Sequence, residues 1–245
     1  MKLKLLIAAL GVAASGFVVA DSYQTEITGS ASRYDMDGAS SKVDYYDVEG
    51  VYHFKAVNTT NLPLAEAAYL GKNSNVFAGL VDYPHQNGDP SLQIYQVGAE
   101  FYIPENFLYV KAGASRYSSG SYRNNDWFTT LGVTPIDGLR VTTEYSHEAG
   151  YDVNIHAKYV TDIGSGQFIN VEAGVSDADS GTIFQFGGDY YIDSTFSVGA
   201  NIVDSDEDAY TLRTRKFFSE SFSGELSYTD GDYSNTVALT LAVRF

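Results

Sequence analysis

Along much of this chain apolar and polar residues alternate one by one, in runs of about ten residues parted by clusters of Gly, Asp, Asn and Ser. The last run is the cleanest. Val237, Leu239, Leu241, Val243 and Phe245 take every second position, with Thr236, Ala238, Thr240, Ala242 and Arg244 between them. Side chains of a strand point alternately to its two faces, so this is a ribbon with one large apolar face and one small, polar face. Similar sets are Tyr46-Val48-Gly50-Tyr52-Phe54, Tyr95-Val97-Ala99-Phe101-Ile103 and Leu108-Val110-Ala112-Ala114. Further on come Leu139-Val141-Thr143-Tyr145, Tyr151-Val153-Ile155-Ala157-Tyr159, Ile169-Val171-Ala173-Val175 and Phe196-Val198-Ala200-Ile202. None of these sets holds a charge. The positions between them hold Glu49, His53, Lys111, Arg140, Glu144, His156, Lys158, Glu172 and Asn201.

That asymmetry decides the environment. A charge facing hydrocarbon near mid-bilayer costs ~2–4 kcal/mol, whereas one facing a wet lumen costs little. The pattern therefore predicts an all-β chain folded as an antiparallel up-and-down transmembrane β-barrel. About fourteen segments are expected, near 22–33, 43–55, 75–83, 92–103, 107–117, 126–134, 139–147, 151–160, 167–176, 182–192, 195–203, 209–217, 222–229 and 234–245. In 75–83 both faces are apolar, and in 126–134 Gly132 and two threonines blur the contrast, so twelve or sixteen strands stay open.

An even count with entry from the periplasm puts every second connection on one side. There Tyr102 to Phe107, Thr134 to Gly138, Tyr191 to Phe196 and Phe217 to Phe222 are tight turns, mostly flanked by aromatics expected in an inner interfacial girdle. The opposite connections are expected to be longer and are richer in Asp: 35–37, 82–89, 117–126, 177–179, 204–208 and 230–232.

One stretch breaks the pattern. Asn58 to Gly71 offers a capping residue, Pro63 at an early helical position, good helix formers and a closing Gly. It predicts about two turns of helix over 62–70, between the second and third strands. Tyr52-His53-Phe54 ahead of Asn58-Thr59-Thr60, then Pro63 to Leu70 and Ser74-Asn75-Val76, resembles the corresponding stretch of the small "putative porin" family of gammaproteobacterial outer membranes. A last strand stopping on Phe245 likewise looks like that of outer-membrane barrels, in which the terminal Phe is the assembly signature. The resemblance implies an outer-membrane barrel of unassigned substrate, contact with outer-membrane lipid and lipopolysaccharide, and recognition of Phe245 by the assembly machinery. It carries over no functional residues.

The N-terminus agrees. Met1-Lys-Leu-Lys4, an apolar stretch from Leu5 to Val19, and small residues before Asp21 read as a secretory signal peptide, residues 1–20, cleaved to leave a barrel of 21–245. As a membrane anchor the run falls short of the ~20 apolar residues a spanning helix needs. Cleavage moves the formal charge from −16 to −18, because Lys2 and Lys4 leave and no acid does. So acidic a surface argues against nucleic acid. The absence of cysteine excludes disulfides and thiolate chemistry. The 20 tyrosines and 14 phenylalanines suit aromatic girdles, though a β-rich soluble protein would also be aromatic.

Candidate function lies with the charges of the inner face. Glu26, Glu49, Glu100, Glu144, Glu172, Asp189 and Glu225 are expected there, with Lys55, Lys111, Arg140, Lys158, Arg213, Arg215 and Arg244. In a water-filled channel for small hydrophilic solutes, such opposed patches would bias ion passage. Arg213 and Arg215, two residues apart on one face, are the sharpest candidates; Arg140 with Glu144, and Lys158 with Glu172, read as plain salt bridges. The contrary reading is a structural or adhesion barrel whose charges pair and fill the bore, and a secreted β-sandwich is a third.

No cofactor or metal is expected. The densest acidic cluster, Asp204 to Asp208, lacks the spacing of a calcium loop and reads as a solvated face. No Gly-x-Ser-x-Gly elbow or His-Glu-x-x-His pair accompanies the four histidines, and His147-Glu148 reads as a polar loop, so no enzyme is expected. Neither the solute nor the oligomeric state is legible.

Overall fold

The computed structural model describes residues 22–38, 42–85, 90–104, 106–148, 150–178 and 181–245; the expected signal peptide lies outside them. Fourteen strands follow one another: β1 (Ser22–Met36), β2 (Lys42–Asn58), β3 (Asn75–Tyr83), β4 (Leu92–Tyr102) and β5 (Leu108–Ser119). Next come β6 (Tyr122–Val133), β7 (Leu139–Ser146), β8 (Asn154–Gly164), β9 (Gln167–Ala178) and β10 (Gly181–Asp193). The last are β11 (Phe196–Asp204), β12 (Ala209–Ser219), β13 (Phe222–Gly231) and β14 (Ser234–Arg244). Each pairs antiparallel with its chain neighbours, and β1 pairs with β14 from Glu26–Arg244 to Met36–Ser234, which closes the ring.

At the seam Gln24 N and Thr25 N donate to Phe245 O at 3.0 and 2.8 Å, and Phe245 N donates to Thr25 O at 2.9 Å. A closed ring leaves no unpaired strand edge, which is the condition for strands to cross hydrocarbon. The apolar sets face outward: Val97, Leu131, Phe186, Leu212 and Leu226 are all more than half exposed. A β-sandwich would bury these side chains, so that reading falls.

The strands run further than the alternation does. Ser119 pairs with Tyr122, so 117–126 is no long connection but two strand ends joined through Gly120 and Ser121. Gly231 and Ser234 pair just as closely; residues 86–89 and 179–180, within the expected connections 82–89 and 177–179, lie outside the described ones. The expectation of uniformly longer connections at that end, here the distal rim, is thus corrected. The longest connection among the described residues, 59–74, lies instead at the terminal rim, where Ser22 pairs with Asn58 and Phe245 bonds Thr25.

The irregular stretch forms the short helix expected there, seven residues long. A 3-10 turn, Leu64–Glu66, runs into a single α-helical turn, α1 (Ala67–Leu70). Gly71 keeps a right-handed φ of −74°, and the positive φ falls on Lys72 at 49°. Gly71 is needed for room: a Cβ there would lie 2.3 Å from Asn73 Oδ1.

The doubly apolar β3 also has its reason. Phe77 points inward, and its ring fills the hollow over Gly98; Phe128 does the same over Gly113. A Cβ on Gly98 would lie 2.5 Å from Phe77 Cζ and 2.6 Å from Ala112 O. Gly98→Ala is therefore expected to lose about 1–3 kcal/mol, read as a lower urea midpoint of the refolded barrel. An unmoved midpoint would mean that ring and backbone yield freely.

Candidate functional site

The interior is crossed at its terminal rim. Segment 59–74 leaves β2 and reaches the opposite wall, since β8 and β10 each lie six strands from β2 around the ring. Leu64 N donates to Ser194 O at 2.8 Å, between β10 and β11. Arg244 of β14 returns Nη1 to Leu64 O at 2.8 Å. Glu66 accepts from Tyr191 Oη at 2.7 Å and lies 2.9 Å from Lys158 Nζ. The Tyr69 hydroxyl shares its proton between Lys158 O at 2.8 Å and Gly138 O at 3.0 Å. Burial pushes that hydroxyl up to about 12, so it stays a donor. On the near side Asn73 Nδ2 donates to Lys55 O, and Ala67 packs with Tyr23 and Val57.

Two hollows flank this segment. One, of about 460 Å³, is lined by Ala65, Glu66, Ala68 and Tyr69 and opens towards the barrel interior. The other, of about 600 Å³, is lined by Thr59, Asn61 and Leu64 with rim residues such as Asp162, Asp193 and Glu220.

Most of the charges expected on the inner face stand in pairs. Arg213 Nε and Nη2 hold the two oxygens of Asp189 at 2.8 and 2.6 Å. Arg215 lies 2.6 Å from Glu225. Lys158 contacts Glu172 at 3.2 Å, as expected, and Glu66 as well. Arg244, buried, pairs with Glu26 across the seam. The expected Arg140–Glu144 bridge does not form. Arg140 reaches Glu100 at 3.2 Å and Tyr102 Oη at 2.7 Å, while Glu144 accepts from Thr130 at 2.8 Å. Four residues along a strand span about 13 Å, too far for a salt bridge. Lys55 is exposed near the rim.

The turn aromatics do not all form the expected inner interfacial girdle. Tyr102, Tyr191 and Phe217 are buried, each pointing inward against the segment or its anchors. Arg244 sits 4.5 Å from the Tyr23 ring centre and 4.6 Å from that of Phe217; Arg140 sits 5.0 Å from that of Tyr69. Such contacts favour desolvated cations. Glu66 and Tyr69 are the residues that sequence reasoning missed. Their signal was a lone acid and a lone phenol inside the otherwise apolar Leu64–Leu70. His147 stacks on Trp127 at 5.6 Å, a packing role at the distal rim.

Against this geometry, residues 1–133 and 129–245 both match the profile of a family described as "putative general bacterial porin". The chain belongs to this family. Its place is the bacterial outer membrane. The outer-membrane protein Omp33 of Acinetobacter baumannii has the same barrel fold, with a TM-score of 0.78 at 24% identity over 92% of this chain and 99% of that one. KdgM porin in complex with disordered oligogalacturonate gives a TM-score of 0.49 at 9% identity, covering 90% and 99%. A Rhodopseudomonas blastica porin mutant gives 0.47 at 10%, again covering 90% and 99%. These last two are too distant to bear on function. No curated protein matches the chain.

Proposed function

We propose that this porin is a passive diffusion channel for small hydrophilic solutes, throttled at the terminal, periplasmic rim by segment 59–74. The observation that carries the reading is the polar hollow of about 460 Å³ kept open inside the ring and ended by a segment held through a few polar contacts. Barrels of about eight strands are filled by side chains, whereas a ring of fourteen has room to spare. Solutes pass when the segment leaves its anchors. Acidic distal connections such as Asp204 to Asp208 bias entry towards cations. Arg213 and Arg215, matched by Asp189 and Glu225, then contribute less field than two free cations would.

That same pairing favours the second reading, a structural barrel that does not conduct. Planar-bilayer recording of refolded protein separates the two. Discrete, infrequent conductance steps are expected; a membrane that stays sealed at every voltage and solute would leave the structural barrel standing.

A further inference from the structure

The hollow inside the ring is lined by four carboxylates and four cations. Three of the cations are matched within it: Arg140 by Glu100, Lys158 by Glu66 and Arg244 by Glu26. Lys111 and Glu49 are left. Among the described residues neither has a counter-ion within 4.0 Å, and neither charged group makes a hydrogen bond. Lys111 is half-buried and Glu49 exposed to the hollow, so both charges stay open to a ligand. An unmatched cation and an unmatched anion in one hollow therefore make a site with two poles.

The surroundings are built rather than incidental. Lys111 Nζ lies 5.0 Å from the Phe77 ring centre and 5.6 Å from that of Phe128. Both rings are buried and fixed over Gly98 and Gly113, so the ammonium stands on a rigid apolar shelf. Glu49 is on β2, three strands from β5 and four residues from His53, which stands level with Lys111, so the two backbones lie about 19 Å apart along the wall. His53, in the same hollow and level with Lys111, is buried, and its Nδ1 has no hydrogen-bond partner among the described residues. The geometry points to a binding site for a small zwitterion of amino-acid size. Its carboxylate meets Lys111, its ammonium meets Glu49, and its carbon stem passes Phe77. A simple anion or cation satisfies one pole and leaves the other bare.

This inference rests on the proposed role of the interior as a solute compartment and names the solute class. Its test is calorimetric titration of the full refolded protein in detergent with γ-aminobutyrate and 6-aminohexanoate, against butyrate and butylamine. Each zwitterion is expected to bind at least tenfold more tightly than either one-ended compound. Lys111→Gln and Glu49→Gln should each cut zwitterion affinity at least tenfold. Lys111→Glu combined with Glu49→Lys should restore it, because the ligand turns end for end. Equal affinity for zwitterion and one-ended compounds overturns the site, and that comparison needs no variant to fold. Zwitterion affinity unchanged in both single variants overturns it too. Titration requires no open path, so binding without bilayer conductance would sink the channel and spare the site, whereas conductance without zwitterion preference would do the reverse.

Discussion

Glu66→Ala in the refolded barrel is expected to raise open-channel occupancy in planar bilayers by more than tenfold. Glu66 is the far anchor of the segment that ends the hollow, held by the Tyr191 hydroxyl and the Lys158 ammonium. Hydrogen bonds to a charged group are worth about 1.5–3 kcal/mol each. Lys158 keeps Glu172 after the substitution, which offsets part of the loss. A net of about 2 kcal/mol remains, or roughly thirtyfold in the ratio of docked to undocked segment. Lys158→Met should open the channel at least as far, because it leaves the buried Glu66 carboxylate without its counter-ion. If Glu66→Ala records like the parent protein, the segment is not what limits passage.

Arg244→Met is expected to destabilise the barrel by about 3–4 kcal/mol, read from urea unfolding of the refolded protein. The arginine is buried, and its loss leaves Glu26 without its counter-ion and Leu64 O without its donor. Removing one member of a buried pair typically costs 3–5 kcal/mol. Glu26 keeps some access to water, which places the figure at the lower end. The stacked contacts on Tyr23 and Phe217 add about 1 kcal/mol. Combining it with Glu26→Gln should cost clearly less than the sum of the single changes. Strict additivity would show that the seam pair is not coupled.

The residues show why the ring was legible in the sequence and its contents only in part. Alternation is enforced wherever a strand has lipid on one side, so Val237 to Phe245 or Tyr95 to Ile103 announce themselves. Where a strand outruns the hydrocarbon the constraint lapses. Ser118, Arg123 and Asn124 are polar on both faces, which made the β5 and β6 ends look like a connection. Across the bore no local rule operates. Arg140 finds Glu100, 40 residues back along the chain and three strands away, because inward side chains meet through space. Glu144, its near neighbour in sequence, is out of reach. Parity along a strand therefore could not name the partners of these charges. The crossing of the bore by Leu64–Leu70 was invisible for a related reason: a short segment reveals its helical tendency and nothing about the wall it will meet.

Arg244 belongs to the final strand, yet it clasps Glu26 of the first strand and the Leu64 carbonyl of the obstructing segment at once. Obstruction is thereby tied to the order of assembly. Until the C-terminal ribbon zips into place, a nascent barrel lacks one of the fastenings that shut its inner end. On the proposed reading, sealing of the bore is expected to be a late event in biogenesis, one that reports a finished ring.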